Sequence, residues 1–191
     1  MKSRILLGGL AAGIAFFMWG FLYWAASPLS KTIIPPAPGG EAVITALQAA
    51  GAPSGAYIAP SREEMEKQEN WNKPYISILI FRTEHGVSMP VAICRGLGIS
   101  ILLGLLLAGF ASCMAPRGRG FGGKVMFCVM MGLIFALAGP LVDWNWFSWP
   151  SNLLIFRVID VVGGFAVMGM VIGAIIKPCD HKECGPGVAA G

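Results

Sequence analysis

The sequence predicts an α-helical integral membrane protein: four transmembrane helices, with a small α/β extracytoplasmic domain between helices 1 and 2. Three observations predict it. Charged residues make up only 13% of the 191-residue chain and hydrophobic ones 55%, whereas soluble domains carry roughly a quarter charged residues. Four segments stay apolar over the length of about 20 residues that a helix needs to cross a hydrocarbon core of roughly 30 Å. The basic residues of the short connections alternate, present in one and absent from the next. The net charge of +4 is small and scattered, so no nucleic-acid partner is expected.

The first span, 5–26, follows Lys2 and Arg4. A cleaved signal peptide is the competing reading. The apolar run exceeds the roughly 7–15 residues of a signal core, and cutting after Ala26 would put Trp24 where a small residue is wanted. Residues 1–26 are therefore read as a retained anchor.

Residues 27–89 form the only sizeable aqueous segment. "PPAPGG" is a stiff linker ending in a turn. "EAVITALQAAG" spaces Val43, Ile44 and Leu47 helically, with Glu41 in the first turn and Gly51 as the stop. "GAYIAP" reads as a strand. Ser61-x-x-Glu64 is a capping box, in which each side chain satisfies a free amide of the helix start. "YISILIFR" is β-rich and nearly continuously apolar, which predicts cover on both faces. A domain this small is marginal alone, so it is expected to pack on the membrane helices or on a partner. The charged run after Arg62 reads as a solvated face, and His85 as an isolated side chain.

The pattern "LLGGL…WG…W…P" in the first span, the helix opening "EAV" and the "G-x-Y-I-x-P" strand resemble a family of uncharacterised bacterial inner-membrane proteins. That family has four predicted transmembrane helices and an exported domain after the first. The resemblance covers residues 5–60. It implies a bacterial inner (cell) membrane location and carries no catalytic residue.

Residues 90–177 hold the other three spans, at 91–115, 125–142 and 153–176. "PRGRGFGGK" carries Arg117, Arg119 and Lys124, whereas "DWNWFSWPSN" has no basic residue. Lys177 and Lys182 follow the last span. All these clusters fall on one side when both termini are cytoplasmic. The five basic residues of 27–89 belong to a long loop, which translocates largely regardless of charge. Trp19, Tyr23, Trp24, Trp144, Trp146 and Trp149 then gather at the outer interface. The Gly-rich basic loop lacks a phosphate-loop spacing and reads as a tight turn beside lipid headgroups.

The spans carry one unusual group. Arg157 and Asp160 are i and i+3 on the fourth span, so they share a face and can pair. Counting from Asn152 places them roughly 7 and 12 Å below the outer end, with Arg95 about 7 Å below Pro90. Asp143 closes the third span at nearly that level. Ionisable groups at such depth usually face the bundle interior or a polar cavity. The favoured reading is a structural salt-bridge network of Arg157, Asp160 and Arg95. The alternative is a polar pocket in which Arg95 and Arg157 hold an anion.

Gly169-x-x-x-Gly173 on the fourth span and Gly9-x-x-x-Gly13 on the first permit close helix approach. A homodimer is one use for them. In the tail 178–191, Cys179, His181 and Cys184 are donors suited to zinc, but three donors leave a tetrahedral site short. No metal and no other cofactor is expected. Cys94, Cys113 and Cys128 lie in spans, so no disulfide is implied. Met126, Met130, Met131, Met168 and Met170 read as packing or lipid-facing residues.

With no catalytic motif, the expected function is non-enzymatic: a membrane accessory, assembly or envelope-interaction protein. Its exported domain would meet a membrane or periplasmic protein partner. The alternative is a small transporter or anion-binding membrane protein using Arg95, Arg157 and Asp160.

Overall fold

The computed structural model describes residues 2–65, 75–83, 88–114 and 120–176. Four of its helical stretches are long and apolar enough to cross a membrane: Ser3–Ala26, Met89–Cys113, Phe121–Phe147 and Ser151–Ile175. They match the four expected spans to within a few residues at most ends. The basic residues Arg117, Arg119, Lys177 and Lys182, the isolated His85 and the tail donors Cys179, His181 and Cys184 lie outside the described residues.

Helix α1 (Lys2–Gly20) runs into a π-helical turn at Phe21–Ala26. Short α2 (Leu29–Ile33) and α3 (Gly40–Ala49) follow, then strand β1 (Gly55–Ala59), α4 (Arg62–Met65) and strand β2 (Ile76–Phe81). The remaining spans are α5 (Met89–Met114), α6 (Phe121–Ala138) with α7 (Pro140–Phe147), and α8 (Ser151–Ile175). The third span is thus broken where one helix was expected. Pro140 has no N–H to donate and its ring crowds the preceding turn, so α6 stops at Ala138 and α7 restarts at the proline. Asp143 accordingly stands in the first turn of α7, where the amide dipoles favour a carboxylate.

The spans pack in the order α5, α1, α8, α6, each antiparallel to its neighbour, while α5 and α6 barely meet. Glycines set the crossings. A Cβ added at Gly13 would stand 2.5 Å from Ile101 Cα and 2.6 Å from Ser100 O. One added at Gly9 would meet Leu105 Cα at 2.8 Å, and one at Gly104 would run into the Gly9 carbonyl. Across the molecule, Gly169 lies against Val125 and Cys128, and Gly173 against Phe121. Both glycine pairs singled out as helix-packing motifs are therefore occupied within the chain. The homodimer expectation loses the surfaces that motivated it.

The core lies toward the Lys2 and Ile176 ends of the spans, where Ala12, Leu107, Ala108, Ala111, Cys128, Phe165, Met168, Ile172 and Ile176 are buried together. All four spans contribute to it. At that same end the Lys124 ammonium, itself buried, donates to the carbonyl of Ile176 just past the end of α8. A cation there complements the negative end of the helix dipole. Lys124, read from sequence as a loop charge, thus also ties the third span to the fourth.

Between the first two spans the local signals hold. Glu64 N–H donates to Ser61 Oγ at 3.3 Å, and Ser61 N–H donates to Glu64 Oε2 at 3.0 Å, closing the capping box. Helix α3 ends in a Schellman motif: Gly51, at φ 65°, donates to Gln48 O, and Ala52 donates to Leu47 O, both at 3.0 Å. Strands β1 and β2 pair antiparallel, with Gly55 opposite Phe81 and Tyr57 opposite Leu79. The expected cover on both faces of β2 is not observed. Ile76, Ile78 and Ile80 point to one face and are exposed, Ile80 at 74%, while Phe81 on the other is buried. Neither the sheet nor α3, whose Val43 and Ile44 are also exposed, packs extensively on the spans among the described residues.

Candidate functional site

The polar group of the fourth span is organised by the first. In a regular α-helix, at about 100° per residue, Trp19 and Tyr23 fall within roughly 40° of each other, while Trp24 lies about 140° from Trp19. The π-helical turn changes this. Its i→i+5 bonding, seen where Ser27 N–H reaches Leu22 O at 3.0 Å, widens the helix and brings residues five apart into line. Trp19, Tyr23 and Trp24 can then all address α8.

Each makes a hydrogen bond there. Trp24 Nε1 donates to Asp160 Oδ2 at 2.7 Å, Trp19 Nε1 to the Asp160 carbonyl at 3.0 Å, and Tyr23 OH to the Phe156 carbonyl at 3.0 Å. Phe156, buried, seats the aromatic rings: its ring stacks on Tyr23 at 4.5 Å and meets Trp24 edge-on at 4.7 Å. Gly163 and Gly164 make room for the neighbouring rings. A Cβ at the first would stand 2.5 Å from Trp19 Cζ2, and at the second 2.5 Å from Phe16 Cε2.

Arg157 and Asp160 do not form the expected direct pair. The Trp24 indole takes the Asp160 carboxylate, and the Arg157 guanidinium lies over the ring of the same Trp24, 5.5 Å from its centroid. One tryptophan therefore separates the two charges while contacting both. The physical reason is geometric: residues three apart on a helix share a face, but the acceptor goes to whichever donor the facing helix supplies. Of the arginine's nitrogens only Nε is buried without a hydrogen-bond partner.

The other two members of the predicted cluster stay apart from this arrangement. Arg95 is exposed on α5, and Asp143 is half-buried on α7. Among the described residues no hydrogen bond or ion pair joins either to Arg157 or Asp160. Counted from the start of α8, Asp160 is nine residues in, as the sequence count has it, and the first span gives a second reference. Trp24, two residues before the end of the π turn, is level with Asp160, so Asp160 lies within about one helical turn, roughly 5 Å, of the end of the first span. The start of α8 extends past that level.

Sequence reasoning read Trp19, Tyr23 and Trp24 as interface anchors and missed them as partners of α8, the two tryptophans on Asp160 and the tyrosine on Phe156. Their spacing with Phe16 was the available signal. The arrangement offers a fixed hydrogen-bond acceptor and a half-buried arginine with no ion-pair partner among the described residues. It contains no nucleophile set beside a base. No protein-family model, no curated protein and no solved structure matches the chain.

Proposed function

We propose that the protein is a non-enzymatic multi-pass membrane accessory or assembly protein, its 27–88 segment exported and presenting an apolar surface to a protein partner. One observation carries this reading: the face formed by Ile76, Ile78 and Ile80 is exposed, and so is the apolar side of α3. A two-stranded sheet is marginal in water by itself, and exposed apolar patches mark interaction surfaces. The alternative as a small transporter needs Arg95, Arg157 and Asp160 in one polar layer. Arg95 has no bonded link to the other two, which is why the accessory reading is preferred.

The orientation proposed has both termini in the cytoplasm of a bacterial cell. What supports it is the distribution of charge and aromatics. Lys2, Arg4 and Lys124 lie at one end of the bundle, and Trp19, Tyr23 and Trp24 toward the other. In a Cys94→Ser background, a cysteine placed at Ser54 is expected to react with a membrane-impermeant maleimide in intact cells. Cys179 and Cys184 are expected to stay unlabelled. Labelling of the tail cysteines from outside reverses the orientation.

The partner is tested with a photo-crosslinking residue at Ile80 and, as control, at lipid-facing Leu7. The expected result is a discrete protein adduct from position 80 that is absent from position 7. If position 80 crosslinks to no protein while the chain is folded in the membrane, the accessory reading fails.

A further inference from the structure

We infer that Arg157 is a binding site for a phosphate group at the membrane interface, built by Trp24 and Asp160. The inference rests on the membrane-spanning reading of the four helices and is independent of any protein partner.

An arginine three residues from an aspartate on one helix face would ordinarily be neutralised by it. Here the carboxylate is withdrawn, because Trp24 Nε1 holds Asp160 Oδ2 at 2.7 Å. The guanidinium instead lies over the Trp24 ring, 5.5 Å from its centroid, a contact that holds the cation without pairing it with an anion. Nε is sealed and unpartnered, whereas the two terminal nitrogens are not sealed and have no protein acceptor among the described residues. The side chain is thus anchored at its base and open at its tip. An anion approaches end-on, through Nη1 and Nη2.

The level of the site selects the anion. Trp19, Tyr23 and Trp24 form a belt at the end of the first span, and such belts sit at headgroup depth. Guanidinium is the side-chain cation best matched to phosphate oxygens, being planar, weakly hydrated and always charged. A phosphate there meets a donor pair that no carboxylate of the chain occupies. Asp160, its Oδ2 held by the indole and making no ion pair with the arginine, positions Trp24 and so the arginine. The phosphate is supplied either by a phospholipid headgroup or by the free ion.

The test uses the full chain in dodecyl maltoside, stripped of phospholipid. Thermal unfolding is followed while dioctanoyl phosphatidylglycerol, or separately inorganic phosphate, is titrated in. The expected result is a saturable rise in the unfolding midpoint. Arg157→Gln is expected to weaken the apparent affinity by about tenfold or more, the loss of a charge-assisted bond. Trp24→Phe keeps the arginine but frees Asp160 to pair with it, and is expected to weaken binding as well. Arg95→Gln, the exposed arginine of α5, is expected to titrate like the unmodified chain. A rise with the lipid alone identifies a headgroup, and a rise with inorganic phosphate as well identifies the free ion. If Arg157→Gln does not fold, Trp24→Phe decides. The inference is overturned if neither ligand gives a saturable response, if Trp24→Phe or a folded Arg157→Gln titrates unchanged, or if Arg95→Gln loses as much as Arg157→Gln.

Discussion

Gly104→Leu is expected to separate the first two spans, with a loss of about 3 kcal/mol in unfolding free energy, the upper end of typical overpacking costs. The side chain would be driven into the Gly9 carbonyl and the backbone of Gly13. Those are main-chain atoms in the middle of a helix and cannot rotate away. Only an outward shift of α1 relieves the clash, and that shift pulls α1 from its seat on α8 as well. Gly109→Leu on the same helix is the control, because a Cβ there meets nothing within 4 Å. It is expected to be neutral or slightly stabilising, since a helical glycine costs roughly 0.5–1 kcal/mol against alanine. Both variants are compared by denaturant unfolding in mixed micelles. Equal stability for the two would show that α1 and α5 do not cross on their glycines.

That crossing illustrates what the sequence could and could not convey. Small residues four apart at Gly9 and Gly13 announce close approach to some helix, because removing side chains from one stripe lets another backbone in. They do not name the helix. The choice of α5 depends on Gly104, an unremarkable glycine until it is set opposite. Span positions and the Ser61–Glu64 box were legible because length, apolarity and capping are local. The broken third span was legible too, in Pro140, but continuous apolarity concealed it. Residues 76–81 misled for a related reason. A nearly continuous apolar run implies that both faces of a strand are covered, but the sequence does not say that the cover comes from the same chain. The candidate site was legible only in half. Spacing put Arg157 and Asp160 on one face, yet the donor that divides them comes from another span and reaches across only because the helix widens at 21–26.

The division of the two charges by Trp24 has a measurable consequence. A double-mutant cycle between Trp24→Phe and Asp160→Ala is expected to return a coupling of about 1.5–3 kcal/mol, the range for a hydrogen bond to a charged group. Phenylalanine keeps an aromatic ring beside Phe156 but removes the indole N–H together with part of the bicycle, and that packing loss cancels in the cycle. The corresponding cycle between Arg157→Gln and Asp160→Ala is expected to give less than about 1 kcal/mol, as for charges that are near but not bonded. In the Trp24→Phe chain the released Asp160 turns toward Arg157, which masks part of the first coupling. Repeating the Trp24–Asp160 cycle in the Arg157→Gln background closes that escape, and the coupling is then expected to hold or grow. Reversal of the order, with Arg157 coupled to Asp160 more strongly than Trp24 is, would restore the direct ion pair that the i, i+3 spacing first implied. It would also leave Arg157 neutralised by its own helix, with no free charge at the interface to hold a phosphate.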